Sequence, residues 1–228
     1  MRIQNTPSSY GLLAGLLVFL LGLLANASCA CTPRLALAQL HDEYDAAVKI
    51  EAHCVVEKDG VFSMSGWYGS GVVVDQRHVL TAGHVATADE HEICSFVATD
   101  SAGTKRIIAP LVIDAKLDLA SMRLQDDQPD FAPTHVHFGI KPLRGSIVCA
   151  SPAFPRSAHK CGEVQPYVEA PGDIVMGIIV EPGNSGSALY DEYGHLVGIV
   201  THLLYCQNHQ WCAGKAASLQ DHVKALLP

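Results

Sequence analysis

Charge is scarce in this chain, and positive charge most of all. Of 228 residues only 17% are charged, and 15 Lys and Arg stand against 23 Asp and Glu, a formal balance of −8. The basic residues are scattered singly except for Lys105-Arg106, so nothing offers a footprint for a phosphate backbone and no nucleic-acid partner is expected. Low charge with 49% apolar residues also excludes disorder, because such a chain can bury a core. Close ligand pairs are missing too. Neither CxxC nor HxxxH occurs among 8 cysteines and 12 histidines, which argues against a zinc site, although the stretch Cys206 to Cys212 with His209 keeps an exported metal-binding protein as a rival reading. Eight cysteines in a chain of this length are too sparse to replace a core and can only reinforce one. There is no repeat and no low-complexity segment.

The longest charge-free stretch lies between Arg2 and Arg34. Within it Gly11 to Ala25 is a Leu-rich run that as a helix reaches only about 22 Å, short of the ~30 Å hydrocarbon core of a bilayer. A signal peptide over residues 1–27 fits better, with Ala25-Asn26-Ala27 as the small-x-small cleavage pattern and cutting before Ser28. The alternatives are an uncleaved anchor over residues 10–27 and a lipidated Cys29, against which Asn26 speaks. Each exports the domain, so contact with a membrane is expected only through this segment. Cys29 and Cys31 flank the cut. The remaining Cys54, Cys94, Cys149, Cys161, Cys206 and Cys212 are an even set in an oxidising compartment, enough for three bridges.

Residues 28–45 form a lead-in with a short helix expected over 34–44. From Ala46 the chain becomes a series of short β-branched runs about ten residues apart, the spacing of an all-β barrel or sandwich. Six strands are expected in a first unit over 46–124: 48–55, 65–74, 78–81, 92–98, 105–112 and 121–124. The polar, Pro-containing stretch 125–134 reads as a linker. A second unit over 135–228 has candidates at 135–138, 146–151, 163–169, 173–179, 187–190, 195–202 and 211–214. Leu219, Val223 and Leu226 at helical spacing suggest a C-terminal helix over 216–227.

Three short stretches carry chemistry. Thr81-Ala82-Gly83-His84 ends a strand in a small-residue turn that fixes an imidazole. Asp118-Leu119-Ala120 sets a carboxylate at a strand mouth, with Asp114 as a nearby competitor that lacks the following Leu-Ala. Gly183-Asn184-Ser185-Gly186-Ser187 places a serine between glycines. A serine hydroxyl is a weak nucleophile until a base takes its proton, and the base needs a carboxylate to hold its tautomer and orientation. The loop needs glycine so that N–H groups can converge on a developing oxyanion.

TAGH at His84, DLA at Asp118 and GNSGS at Ser185, in that order, resemble the chymotrypsin-like (trypsin-fold) serine peptidases over about Ala46 to Leu227. Within them the compact bacterial HtrA-like and glutamyl-endopeptidase-like branches look closest, through PGNSG and the Gly198-Ile199 strand. The resemblance implies an all-β fold of two six-stranded antiparallel Greek-key barrels, here with a C-terminal helix, and a cleft between the barrels. It implies His84 as general base, Asp118 as its orienter, Ser185 as nucleophile, and the N–H groups of Gly183 and Ser185 as oxyanion hole, with no cofactor and no metal. The expected function is an exported serine endopeptidase acting on polypeptides by an acyl-enzyme route. An inert binding or adhesion module on the same fold is the alternative, whose usual mark, a lost triad residue, is absent.

Further expectations follow from the resemblance. Ile179, six residues before the nucleophile, and Leu203 fall where the specificity pocket is built, with Thr201 and His202 beside them, so a small or medium aliphatic residue is expected before the scissile bond. A histidine for acidic side chains would fall at Val200, so glutamyl specificity is not implied. No PDZ-like domain follows, so the peptide-tail control of HtrA proteins is not expected. Bridges Cys54–Cys94, Cys149–Cys161 and Cys206–Cys212 are expected. Asn184 stands where digestive enzymes carry the Asp that pairs with a newly cut N-terminus. An amide cannot neutralise a buried ammonium but can hold the loop from within, so no proteolytic activation is expected.

Overall fold

The structure is a computed structural model that describes residues 46–58, 60–132, 136–154, 159–166, 173–205 and 211–228, with the backbone alone for residues 205, 211 and 212. The leader over residues 1–27, the lead-in helix over 34–44 and the proposed Cys206–Cys212 bridge lie outside the described residues and side chains.

Six strands form the first barrel: β1 (Ala47–Lys58), β2 (Val61–Val73), β3 (His78–Ala82), β4 (Glu92–Thr99), β5 (Lys105–Asp114) and β6 (Leu119–Leu124). They close in the order β1-β2-β3-β6-β5-β4, with β4 returning to β1. The alternation of β1 explains its place. Val48, Ile50, Ala52 and Cys54 point into the barrel and are buried, while the intervening Lys49, Glu51 and His53 face outward, the period of two that a half-buried strand requires. Cys54 lies opposite Cys94 on β4, and the two are joined.

The second sheet comprises β7 (Ile147–Ser151), β8 (Lys160–Glu163), β9 (Asp173–Met176), β10 (Ala188–Asp191), β11 (Leu196–Tyr205) and β12 (Trp211–Ser218), ordered β8-β7-β10-β11-β12-β9. An isolated antiparallel bridge between Val164 and Met176 links the β8 end to β9. Once that bridge is counted, the circular order β7-β8-β9-β12-β11-β10 repeats that of the first barrel, although the sequence shows no repeat. Cys149 and Cys161 lie opposite each other on β7 and β8 and are also joined.

Three cores follow from this arrangement. One fills the first barrel with Val48, Ile50, Val79, Phe96, Ile108 and Met122, and another fills the second with Val148, Ile174, Met176, Leu189 and Val197. The third lies between the barrels, where Val72, Leu80 and Leu119 meet Tyr190, Leu196, Ile199 and Leu226. The last five residues of β2 (Gly69–Val73), with β3 and β6, therefore bury both faces, which is why Gly71-Val72-Val73-Val74 and Val79-Leu80-Thr81-Ala82 read as continuous apolar runs instead of alternating.

Some expected boundaries differ. The helix expected over 216–227 is shorter, because Ala216, Ala217 and Ser218 belong to β12 and pair with β11 and β9, leaving α2 (Val223–Leu226). Among the described residues of the candidate strand over 135–138, Phe138 alone is bridged, to Leu196. The linker stretch is tied to the first barrel. Phe131 enters that barrel's core, with Arg106 donating to the Pro129 carbonyl and Arg77 paired with Asp130. Among the described residues no helix is long and apolar enough to cross a membrane.

Candidate active site

Thirty-four positions separate His84 from Asp118, yet one ladder brings them together. Strands β3 and β6 are paired through Ala82↔Leu119, so the next residue of one and the previous residue of the other must also meet. Gly83 N–H donates to the Asp118 carbonyl at 2.9 Å. The following His84 lies in a single helical turn, α1 (Gly83–Ala86). The Asp118 carboxylate then takes both available donors of that residue. Oδ1 accepts the His84 backbone N–H at 2.8 Å, and Oδ2 pairs with His84 Nδ1 at 2.8 Å. With Nδ1 turned to the carboxylate, Nε2 is the ring nitrogen left outside the pair.

Asp118 holds a left-handed backbone, φ 55°, the one non-glycine residue with positive φ among those described. Such strain costs of order 1–3 kcal/mol and persists where surrounding contacts over-determine it, as these three do. Burial pushes its carboxyl up, but the His84 side-chain and backbone hydrogen bonds, with the His84 and His202 charges, outweigh that and hold it below the ordinary aspartate value. Asp114 does different work: its Oδ1 accepts the N–H groups of Lys116 and Leu117 and shapes the turn before β6.

Ser185 arrives from the other barrel, in the loop before β10. Glu181-Pro182-Gly183-Asn184 is a β-turn in which Asn184 N–H donates to the Glu181 carbonyl at 2.9 Å and Gly183 has φ 93°. Positive φ at the third position with Pro at the second is the signature of a type II turn. A side chain at Gly183 would also meet Phe154 at 2.8 Å. Gly186 is more tightly constrained, since a Cβ there would lie 1.9 Å from the Ser70 carbonyl oxygen at φ 87°. Asn184 is buried, 2% exposed. Its Oδ1 accepts the Glu181 N–H at 2.9 Å and its Nδ2 donates to the Phe154 carbonyl at 3.2 Å, so the amide braces its own turn. The Ser185 hydroxyl donates a long 3.4 Å bond to the Thr201 carbonyl.

Thr201, His202 and Leu203 line a cleft of about 1030 Å3 together with His84 and Asp118. The Thr201 hydroxyl turns away to the Lys215 carbonyl at 3.3 Å, and Leu203 packs partly against the second-barrel core. Ile179 is 56% exposed. His202 does more than line the cleft. Its Nδ1 lies 3.7 Å from Asp118 Oδ2 and its ring is 6.0 Å from that of His84, so two imidazoles flank one carboxylate. Burial lowers the His202 pKa, and Lys215 and His84 add to that, against the pull of Asp118 and Asp173. Sequence reasoning missed Ser70, which ties this loop to the first barrel. Its only signal is a serine between two glycines at the entrance of a buried strand.

The paired His84 and Asp118 stand at the adjoining ends of β3 and β6 in one barrel, and Ser185 stands in a glycine-flanked loop of the other, its hydroxyl bonded to the carbonyl of the cleft residue Thr201. The sequence matches the trypsin-like peptidase domain over residues 69–199, more than half of the chain, and the chain belongs to that family. Among solved structures, the HtrA-type protease AlgW with decapeptide matches with a TM-score of 0.66 at 18% identity, over 84% of this chain and 66% of that one. The AlgWS227A form with decapeptide matches at 0.65 and 17%, over 84% and 64%. A curated relative, described as uncharacterized protein y4bJ of Sinorhizobium fredii (strain NBRC 101917 / NGR234), is 31% identical over 147 residues, 58% of this chain. The match spans 21% of that relative's length.

Proposed function

We propose that this chain is an exported serine endopeptidase that hydrolyses peptide bonds through an acyl-enzyme, with Ser185 as nucleophile, His84 as general base and Asp118 as its orienter. The observation that carries the reading is the double clamp of Asp118 on His84, which leaves Nε2 as the ring nitrogen outside the pair, in a cleft also lined by Thr201, whose carbonyl the Ser185 hydroxyl reaches. Substrate binding draws the Ser185 hydroxyl from its long bond to Thr201 toward that nitrogen. Such bonds often tighten only in the Michaelis complex. Oγ bonds to the scissile carbonyl carbon as its proton passes to Nε2, and the carbonyl π pair moves onto oxygen. Gly183 and Ser185 N–H groups hold that oxyanion. Collapse expels the amine, which takes the proton from His84. Water then repeats the sequence against the ester, releasing the acid and restoring Ser185.

Ile179 and Leu203 give the specificity wall an apolar character, so a small or medium aliphatic residue is the favoured one before the cut. Arg, Lys or Glu there would be desolvated without a partner. Asn184 bracing its own turn supports activity without a new N-terminus. Two disulfides fit an oxidising, extracytoplasmic compartment, with membrane contact confined to the N-terminal segment.

The test is proteolysis of a peptide library by purified protein beside Ser185→Ala. Wild-type activity should fall to background in the variant with the melting temperature nearly unchanged, because a cleft hydroxyl contributes little to the core. Substantial cleavage by Ser185→Ala would refute the assignment. A library profile dominated by basic residues would refute the specificity.

A further inference from the structure

Ser70 stands on β2 of the first barrel, fully buried, but its hydroxyl serves only the second. It donates to the Gly183 carbonyl at 2.9 Å and accepts the N–H groups of Ala153 and Phe154, each at 3.2 Å. The Phe154 carbonyl is farther off, at 3.5 Å. One proton and two lone pairs are all that a hydroxyl has, and all are used. The Ser70 backbone reaches the same loop, its N–H donating to the Ser185 carbonyl at 2.7 Å, while Thr81 Oγ1 donates to the Ser70 carbonyl.

These bonds fall where the oxyanion donors are set. The peptide between Gly183 and Asn184 is pinned at both ends, its N–H to Glu181 and its carbonyl to Ser70. The peptide between Ser185 and Gly186 is pinned likewise, its carbonyl to Ser70 and its N–H to the Val200 carbonyl at 2.7 Å. The Ser185 N–H belongs to the unit between these two anchored planes, and the Gly183 N–H to the unit just before the first. Only the first pin depends on the Ser70 side chain.

We propose that Ser70 is a positioning residue that fixes the oxyanion donors Gly183 and Ser185 from the opposite barrel; this rests on the reading of Ser185 as nucleophile. Removing the hydroxyl leaves the Gly183 carbonyl and the Ala153 and Phe154 N–H groups to find other partners, and the turn shifts. Displacement of transition-state donors by a fraction of an ångström acts on kcat and leaves ground-state binding alone.

The experiment compares Ser70→Ala and Ser70→Cys, the second filling nearly the same volume with a poor hydrogen-bonding group, with wild type, Ser185→Ala and Ser187→Ala. Ser187 is a control because its buried hydroxyl has no hydrogen-bond partner among the described residues. For a peptide chosen from the library, kcat should drop about 10- to 100-fold in the Ser70 variants with KM within about threefold. Affinity for a peptidyl trifluoromethyl ketone, whose hemiketal with Ser185 carries an oxyanion, should drop by a similar factor. Ser187→Ala should match wild type. The proposal is overturned if folded Ser70 variants keep wild-type kcat, if KM alone changes, or if Ser187→Ala loses as much. It is equally overturned if neither Ser70 variant folds, since the hydroxyl would then be a folding element. Wild type without activity, or active Ser185→Ala, would instead bring down the underlying reading.

Discussion

The two barrels share one circular strand order but hold their parts of the site by different means. In the first, β1 and β2 pair without a break from Ala47↔Val72 to Lys58↔Val61, and His84 and Asp118 emerge from adjacent ends of a single ladder. In the second, closure between β8 and β9 rests on the Val164–Met176 bridge, and the serine sits on a loop whose anchors come largely from elsewhere: Ser70 from the first barrel, Phe154 from beyond β7, Val200 from β11. A ladder fixes the position of a side chain by itself. A loop is only as well placed as the hydrogen bonds that hold it, so the first barrel is a rigid mount and the second a braced one.

The largest effect expected from breaking this contrast is in the mount. Asp118→Asn keeps the shape but presents an amide to His84 Nδ1, which then carries the wrong tautomer, and kcat should fall roughly 10⁴-fold. Steady-state rates with melting curves check this. A loss of less than tenfold in a folded variant would mean that the His84 clamp is not needed.

An intermediate effect sharpens the comparison through the disulfides. Cys54–Cys94 closes a span of 40 residues and Cys149–Cys161 one of 12. Loss of either should cost about 2–5 kcal/mol, and chain entropy makes the longer loop worth about 1 kcal/mol more. Function should rank them the other way. Replacing Cys149 and Cys161 by Ser loosens β8 against β7, just before Ala153 and Phe154, which brace Ser70 and the Gly183 turn, so kcat should suffer more there than in the Cys54/Cys94 double variant. Denaturant midpoints and kcat measured together would contradict the braced-loop account if both rank the same way.

Acidity gives the smallest effect. A carboxyl held low in the folded state stabilises fully above its unfolded value near 3.8, and that stability is lost as pH falls through the lower folded value. The stability gap between wild type and Asp118→Asn should therefore narrow below about pH 3.8. His202 runs in the same direction at higher pH: its folded pKa lies below 6.5, so the unfolded chain binds the proton first and stability declines as pH drops from 6.5 toward that lowered value. His202→Gln should flatten this part of the curve in urea midpoints taken across the range, and an unchanged slope would remove His202 from the balance.

Much of the fold was legible because strand physics is local. The β-branched runs bounded by turn residues mark all six strands of the first barrel, and Pro182-Gly183 marks the turn before Ser185. What was not legible is set by distant partners. Ala216-Ala217-Ser218 has helical neighbours in sequence, but β9 and β11 claim both its edges, and tertiary pairing overrides the weak local preference. Phe131 lies in a polar stretch, and nothing nearby says that it enters the first-barrel core. Ser70, and the approach of His202 to Asp118 though His202 itself was expected at the site, show the same limit. Their partners lie more than eighty residues away, and the contacts exist only because the inter-barrel core holds the two units face to face.

The central claim is that Ser185 is an activated nucleophile in a ready-made site, and the most direct test is covalent. Purified protein would be treated with a fluorophosphonate at neutral pH and examined by intact mass and peptide mapping. The account expects one adduct per chain on the peptide that contains Ser185, absent from Ser185→Ala and His84→Ala, and forming without any prior cut near Ala46. An adduct on another serine, or none in folded wild type until a protease trims it, would contradict it.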